Sequence, residues 1–197
     1  MKIESRFNYK LQKQIPNFLS SLRIILTPFC VVFLLKGLLY ISLILFVLAS
    51  ITDYFDGYFA RKYNAVSKIG SFIDPLADKI MVVSIFICFY NIYPDIVDIY
   101  ILSMILFRDV VVTLMRVFME HKGATLVTSK VSKIKTTLQI VVIVVLFINL
   151  IFADLSLFND YFLYVFMLFT GLLTFYTGIH YLFWNFSSFK LIFFNDR

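Results

Sequence analysis

Residues 51–79, ITDYFDGYFARKYNAVSKIGSFIDPLADK, place four aspartates in a chain otherwise dominated by apolar residues. Asp53, Asp56, Asp74 and Asp78 fall in the pattern D-x2-D-G-x2-A-R-x8-G-x3-D-x3-D. A carboxylate at mid-bilayer depth costs roughly 2.5–3.5 kcal/mol on insertion scales. Four would cost on the order of 10 kcal/mol, against a typical total stability of about 5–15 kcal/mol. The acids must therefore be neutralised or kept wet. A divalent metal site does both.

Composition sets the class. The chain has 197 residues, 61% hydrophobic, 19% aromatic and only 15% charged, where soluble domains run near about 25% charged. It reads as an all-α integral membrane protein, and at this length one compact bundle is expected. The net charge of +6 does not point to nucleic acid, because the basic residues are scattered between apolar runs and form no stripe. Cys30 and Cys88 both lie inside apolar runs and read as small buried hydrophobes, not as a disulfide or metal pair.

A spanning helix needs about 20 apolar residues. Six candidate spans appear, at 18–36, 38–60, 73–93, 96–118, 133–153 and 160–186. Ahead of them, Ile3, Phe7, Leu11 and Ile15 recur every four residues between Lys2, Arg6, Lys10 and Lys13. That spacing suits an amphipathic helix lying on the membrane surface over residues 1–15, with the six-helix domain over 16–190. No small-x-small cleavage site follows the first apolar run, so the first segment is expected to remain.

Lysine and arginine set the orientation. Lys2, Arg6, Lys10, Lys13 and Arg23 precede or open the first span, while Arg61, Lys62, Lys68 and Lys79 surround the second connection. Arg116, Lys122, Lys130, Lys133 and Lys135 surround the fourth, and Lys190 and Arg197 end the chain. The odd-numbered connections hold only Lys36, together with Asp95, Asp98, Asp154 and Asp160. Both termini and the even connections are thus expected on the cytoplasmic side of the cell membrane. The four aspartates then sit near the inner leaflet, within reach of soluble substrates.

Asp53 and Asp56 are three apart and Asp74 and Asp78 four apart. On helices each pair shares one face, about 60° and about 40° around the axis respectively. Two antiparallel helices joined by a cytoplasmic turn bring the pairs together. Carboxylates gathered so closely cannot all stay ionised unaided. Hard divalent cations with oxygen ligands, Mg²⁺ or Mn²⁺, resolve the conflict. His121 and His180 are isolated and do not suggest zinc. Gly57 and Ala60 either allow close helix packing or make room for a flat ligand against the backbone. Gly70 is either a turn glycine or part of the same site. Arg61 either anchors the interface or faces a phosphate.

The whole string resembles, position by position, the signature of the CDP-alcohol phosphotransferase family. Those membrane enzymes, built on six transmembrane helices, move a phosphatidyl or similar group from a CDP-linked donor to an alcohol and release CMP. The resemblance implies that Asp53, Asp56 and Asp74 hold a two-metal site with Asp78. It implies that Asp78 is the general base taking the acceptor's proton, and that Asp56, Gly57, Ala60, Arg61 and Gly70 receive the nucleotide. It also implies a homodimer. Physically, paired metals stabilise charge at the bridging and leaving oxygens, and an alcohol needs a base at neutral pH.

The acceptor is carried by other stretches. IPNFLSSLRIILTPF at 15–29 and the wording SFIDPLADK resemble the branch that uses glycerol 3-phosphate as acceptor and CDP-diacylglycerol as donor. Arg108-Asp109, Arg116 and SKIKTTLQ at 132–139 resemble that branch's Arg-Glu…Arg…Gly-Lys-x-Lys-Thr pattern. Asp109 stands where Glu is usual, Ser132 where Gly is usual and Ser20 where Thr is usual; none of these removes a cation. Arg108, Arg116, Lys133 and Lys135 make an acceptor-phosphate site. The alternative is that Arg108 pairs with an aspartate of the motif and the lysines only enforce topology.

Other readings divide by class. A sister enzyme would use inositol phosphate, or phosphatidylglycerol to make cardiolipin. A membrane prenyltransferase would show N/D-D-x2-D twice, but the second pair here is D-x3-D. A divalent-cation channel or transporter would spread its acids along a path and show internal repeats.

Overall fold

The computed structural model describes the backbone of residues 2–62, 70–121, 130–155 and 157–186, and side-chain surroundings over 19–52, 76–77, 79–119, 134–155 and 157–186. The regular structure among the described residues is all helical, with no strand. The helices are α1 (Lys2–Leu35), α2 (Leu39–Lys62), α3 (Gly70–Ile92), α4 (Ile99–His121), α5 (Lys130–Ile151) and α6 (Asp160–Trp184), with a 3-10 turn at Ala153–Leu155. Each expected span has its helix. The difference lies at the front: α1 runs unbroken from Lys2 to Leu35, where a surface helix and a separate span were expected. The side chains of the amphipathic stretch 1–15 lie outside the described residues.

Among the described residues, two helical stretches are long and apolar enough to cross a membrane, Ile134–Ile151 and Asp160–Trp184. Shorter apolar stretches occupy Leu19–Leu35, Leu39–Thr52 and Lys79–Ile92. Long apolar helices are what lipid demands, because only a helix satisfies its own backbone there.

The chain divides into two compact units, residues 1–88 and 89–197. In the first, α1 and α2 form an antiparallel hairpin. The turn is set by Gly37, whose φ of 75° lies in the left-handed region that favours glycine. Gly37 N–H donates to Leu34 O at 3.1 Å and Leu38 N–H to Phe33 O at 2.9 Å, closing α1 with a Schellman cap. The facing seam is Ser20, Arg23, Thr27, Cys30 and Leu34 on α1, with Ser42, Phe46 and Ala49 on α2, all buried. Ser42 Oγ donates to Cys30 O at 2.8 Å and pins the register. Cys30 and Cys88 are buried free thiols, as their apolar settings suggested.

In the second unit, α6 packs against both α4 and α5. Asn159 caps α6, its side chain accepting from Tyr161 N–H at 3.0 Å. Close approach of α6 to α4 is made at two glycines: Gly171 abuts Ile101, and Gly178 abuts Arg108. Seven residues advance both helices in the same direction, so α4 and α6 run parallel. That is the relation expected of helices two apart in an alternating bundle. Phe89 and Phe147 meet edge to face at a centroid distance of 5.0 Å.

Candidate active site

The acidic motif belongs to the first unit. Asp53, Asp56, Gly57, Ala60 and Arg61 lie on the last turns of α2, and Gly70, Asp74 and Asp78 on the first turns of α3. Both aspartate pairs are therefore helical, at the ends that flank the 63–69 connection. The buried α2 positions 42, 46 and 49, continued by the same three- and four-residue steps, arrive at 53 and 56. The side chains of all eight motif residues lie outside the described ones. Among the described residues no three His, Cys, Asp or Glu gather as a metal site. The donor set of the motif is four carboxylates, an all-oxygen set suited to Mg²⁺ or Mn²⁺.

The first unit also buries Arg23 completely, flanked on the same α1 face by Ser20 at 0% and Thr27 at 4% exposure. Thr27 Oγ1 donates to Arg23 O at 2.8 Å. In the sequence Arg23 served only as a marker of orientation. Its signal was there: a guanidinium placed within an apolar run, with hydroxyl side chains at helical spacing on both sides. The only carboxylates among residues 1–88 are Glu4 and the four motif aspartates.

The second unit holds the basic cluster. Arg108 and Asp109 are 4% and 2% exposed on α4, and Lys135 on α5 is 1% exposed. Arg108 Nη1 donates to Asp109 Oδ1 at 2.9 Å, and Lys135 Nζ pairs with that same oxygen. Asp109 thus stands between two cations, with water excluded. Lys135 Nζ also lies 3.5 Å from Gln139 Oε1, and Gln139 Nε2 donates to Thr174 Oγ1 on α6 at 3.4 Å. The network crosses three helices.

Arg116, two turns beyond Arg108 on α4, is half-buried. Lys133 falls in the first turn of α5, its side chain outside the described residues. Of the four expected acceptor residues, the structure brings Arg108 and Lys135 to one shared oxygen of Asp109. Among the described residues a carboxylate that meets Arg108 is that of its neighbour Asp109; the motif aspartates' side chains lie outside them. Gln139, Thr174 and Gly178 were not anticipated. Their types carry no chemistry by themselves, and only their place beside the cations gives them a role. His180 is stacked on Trp184 at 5.4 Å, on the flank of α6.

Two electrostatic features thus recur, a paired-carboxylate motif across a helical turn and a buried cationic group beside an apolar helix. Comparison with known proteins identifies the family in which both stand. Residues 13–176 match the family model described as CDP-alcohol phosphatidyltransferase. A protein of Cereibacter sphaeroides named CDP-diacylglycerol–glycerol-3-phosphate 3-phosphatidyltransferase is 41% identical over 141 residues, covering 68% of this chain and 63% of its own length. A Rickettsia felis protein of the same name is 36% identical over 143 residues, covering 71% of this chain and 78% of its own. A Bacillus subtilis protein, also of that name, is 36% identical over 122 residues, 58% of this chain and 62% of its own. The matched segment contains every aspartate of the motif and every cation of the buried cluster, and the chain belongs to the CDP-alcohol phosphatidyltransferase family.

Proposed function

We propose that this protein transfers the phosphatidyl group of CDP-diacylglycerol to sn-glycerol 3-phosphate, forming phosphatidylglycerophosphate and CMP. The observation that carries the choice of acceptor is the Arg108–Asp109–Lys135 group, two cations sequestered from water around one carboxylate. An acceptor that brings its own phosphate needs cations to meet it, and free inositol or serine does not. The names of the Cereibacter and Rickettsia relatives support the same pair of substrates.

The acceptor's hydroxyl oxygen attacks the phosphorus that carries diacylglycerol. The bond from that phosphorus to the CMP phosphate oxygen breaks, and CMP leaves with the electron pair. Asp78 takes the hydroxyl proton. Asp53, Asp56 and Asp74, with Asp78, would hold two divalent cations, Mg²⁺ or Mn²⁺, and these would supply positive charge to offset that of the pyrophosphate and the leaving group. Gly57 and Ala60 leave room for the cytidine nucleotide, and Asp56, Arg61 and Gly70 complete that subsite. Arg108, Arg116, Lys133 and Lys135 receive the acceptor's phosphate.

The setting is a six-span bundle in the cell membrane, with both termini and the motif on the cytoplasmic side and residues 1–15 on the inner surface. Three observations support it. Lysine and arginine favour the even connections. The parallel course of α4 and α6 agrees with alternate crossing. Large apolar side chains face outward, including Phe29 at 53%, Leu114 at 64% and Phe183 at 77% exposure, as lipid contact favours. The family resemblance supports a homodimer.

The test is CMP release from CDP-diacylglycerol and Mg²⁺ with purified protein, offered glycerol 3-phosphate, inositol phosphate or phosphatidylglycerol in turn. Release with glycerol 3-phosphate is expected. Release with another acceptor alone overturns the acceptor assignment, and none with any overturns the enzyme reading.

A further inference from the structure

Gly178 is buried on α6 with its backbone against the stem of Arg108. A Cβ at this position meets Arg108 Cγ at 2.6 Å, Cβ at 3.5 Å and Cδ at 3.8 Å. Carbon atoms in contact sit about 3.5–4.0 Å apart, so only hydrogen fits. The crowded atom is near the root of the arginine side chain, not its mobile tip. Making room means changing a torsion near the root of the side chain, which carries the guanidinium away, or parting α4 from α6. The guanidinium is meanwhile held at the other end, 2.9 Å from Asp109. One helical turn earlier on the same α6 face, Thr174 accepts from Gln139, whose carbonyl oxygen lies near Lys135.

We infer that Gly178 is a positioning residue for the acceptor phosphate: its missing side chain forms the groove that aims Arg108. The inference rests on Arg108 binding that phosphate. Nothing in the acidic motif depends on it.

The second glycine supplies an internal control. Gly171, seven residues before Gly178, has the same tight relation to α4, with a Cβ meeting Ile101 Cγ2 at 2.7 Å. A methyl group at either glycine strains the same helix pair, but only the one at 178 displaces a cation. Gly178→Ala is therefore expected to raise KM for glycerol 3-phosphate about tenfold or more, the scale of a lost charge-assisted hydrogen bond. KM for CDP-diacylglycerol should move less than about twofold, well below that scale. Gly171→Ala should leave both constants near those of the parent. Arg108→Ala removes the Cγ that clashes, so adding Gly178→Ala to it should have no further effect on KM.

The outcomes separate. If Arg108→Ala itself leaves KM for glycerol 3-phosphate unchanged, the acceptor reading fails. If Arg108→Ala raises it while Gly178→Ala acts no more than Gly171→Ala, the positioning role fails. Additive effects in the double variant also overturn it. Should Gly178→Ala alone not fold, recovery of folded protein in the Arg108→Ala/Gly178→Ala variant upholds the contact, and no recovery overturns it.

Discussion

Replacing Asp109 by Asn is the sharpest probe of the second unit. The substitution keeps the shape and removes the negative charge between Arg108 and Lys135, both of which contact the same Asp109 oxygen. These side chains are only 1–4% exposed, so neither water nor salt offsets the loss. Breaking a buried pair by removing one partner costs about 3–5 kcal/mol. One carboxylate serves two cations here, which places the expectation at the upper part of that range, out of a total of about 5–15 kcal/mol. Reversible chemical unfolding in detergent micelles measures it, with Asp109→Glu beside Asp109→Asn. The glutamate variant keeps the charge and should retain most of the stability. Saturating glycerol 3-phosphate should restore part of what Asp109→Asn loses, because a bound anion replaces the missing charge. At a hundred times Kd, ligand linkage contributes about 2.7 kcal/mol. A loss below about 1 kcal/mol, the median scale of an exposed pair, would refute the reasoning. So would an Asp109→Glu variant as damaged as Asp109→Asn.

Asp78→Asn should abolish CMP release while leaving binding of a CDP-linked nucleotide largely intact; loss of binding instead makes Asp78 chiefly a metal ligand. Arg116→Ala should raise KM for glycerol 3-phosphate more than KM for the lipid donor, and equal changes would return Arg116 to a topological role. Gly37→Ala puts a side chain into a left-handed turn and should cost about 1–2 kcal/mol, read as a lower unfolding midpoint without altered KM values.

Much of the fold is legible without coordinates. Apolar runs near 20 residues mark helices in lipid, because the backbone must satisfy itself locally. A helix, α1 through α6, accordingly lies at each of the six expected positions, and two of them hold stretches long and apolar enough to cross a membrane among the described residues. The boundary that did not follow is inside α1. A change from amphipathic to apolar patterning near residue 16 marks a change of surroundings, and a helix can run through such a change without a break. Arg108 was also legible, since a cation in an apolar stretch demands a reason, and Lys135 was singled out by the resemblance of SKIKTTLQ. Their mutual carboxylate was not. Asp109 adjoins Arg108 in the chain, but adjacent helical residues point about 100° apart, and nothing local brings Lys135, 26 residues on, to the same oxygen.

The sequence by itself determined the class of chemistry: carboxylate spacing of three and four is a local property of a helix, and it carries the family motif whatever packs around it. The expected orientation was drawn from the same kind of local signal, because each basic residue acts through the bilayer and not through a chosen partner. Tertiary structure alone decided which polar groups share one dry space. Gln139 and Thr174 became links in the cation network only when α5 met α6. Gly178 became the groove for Arg108 only when α6 met α4. Such contacts join residues far apart in the chain, and close packing, not periodicity, selects them.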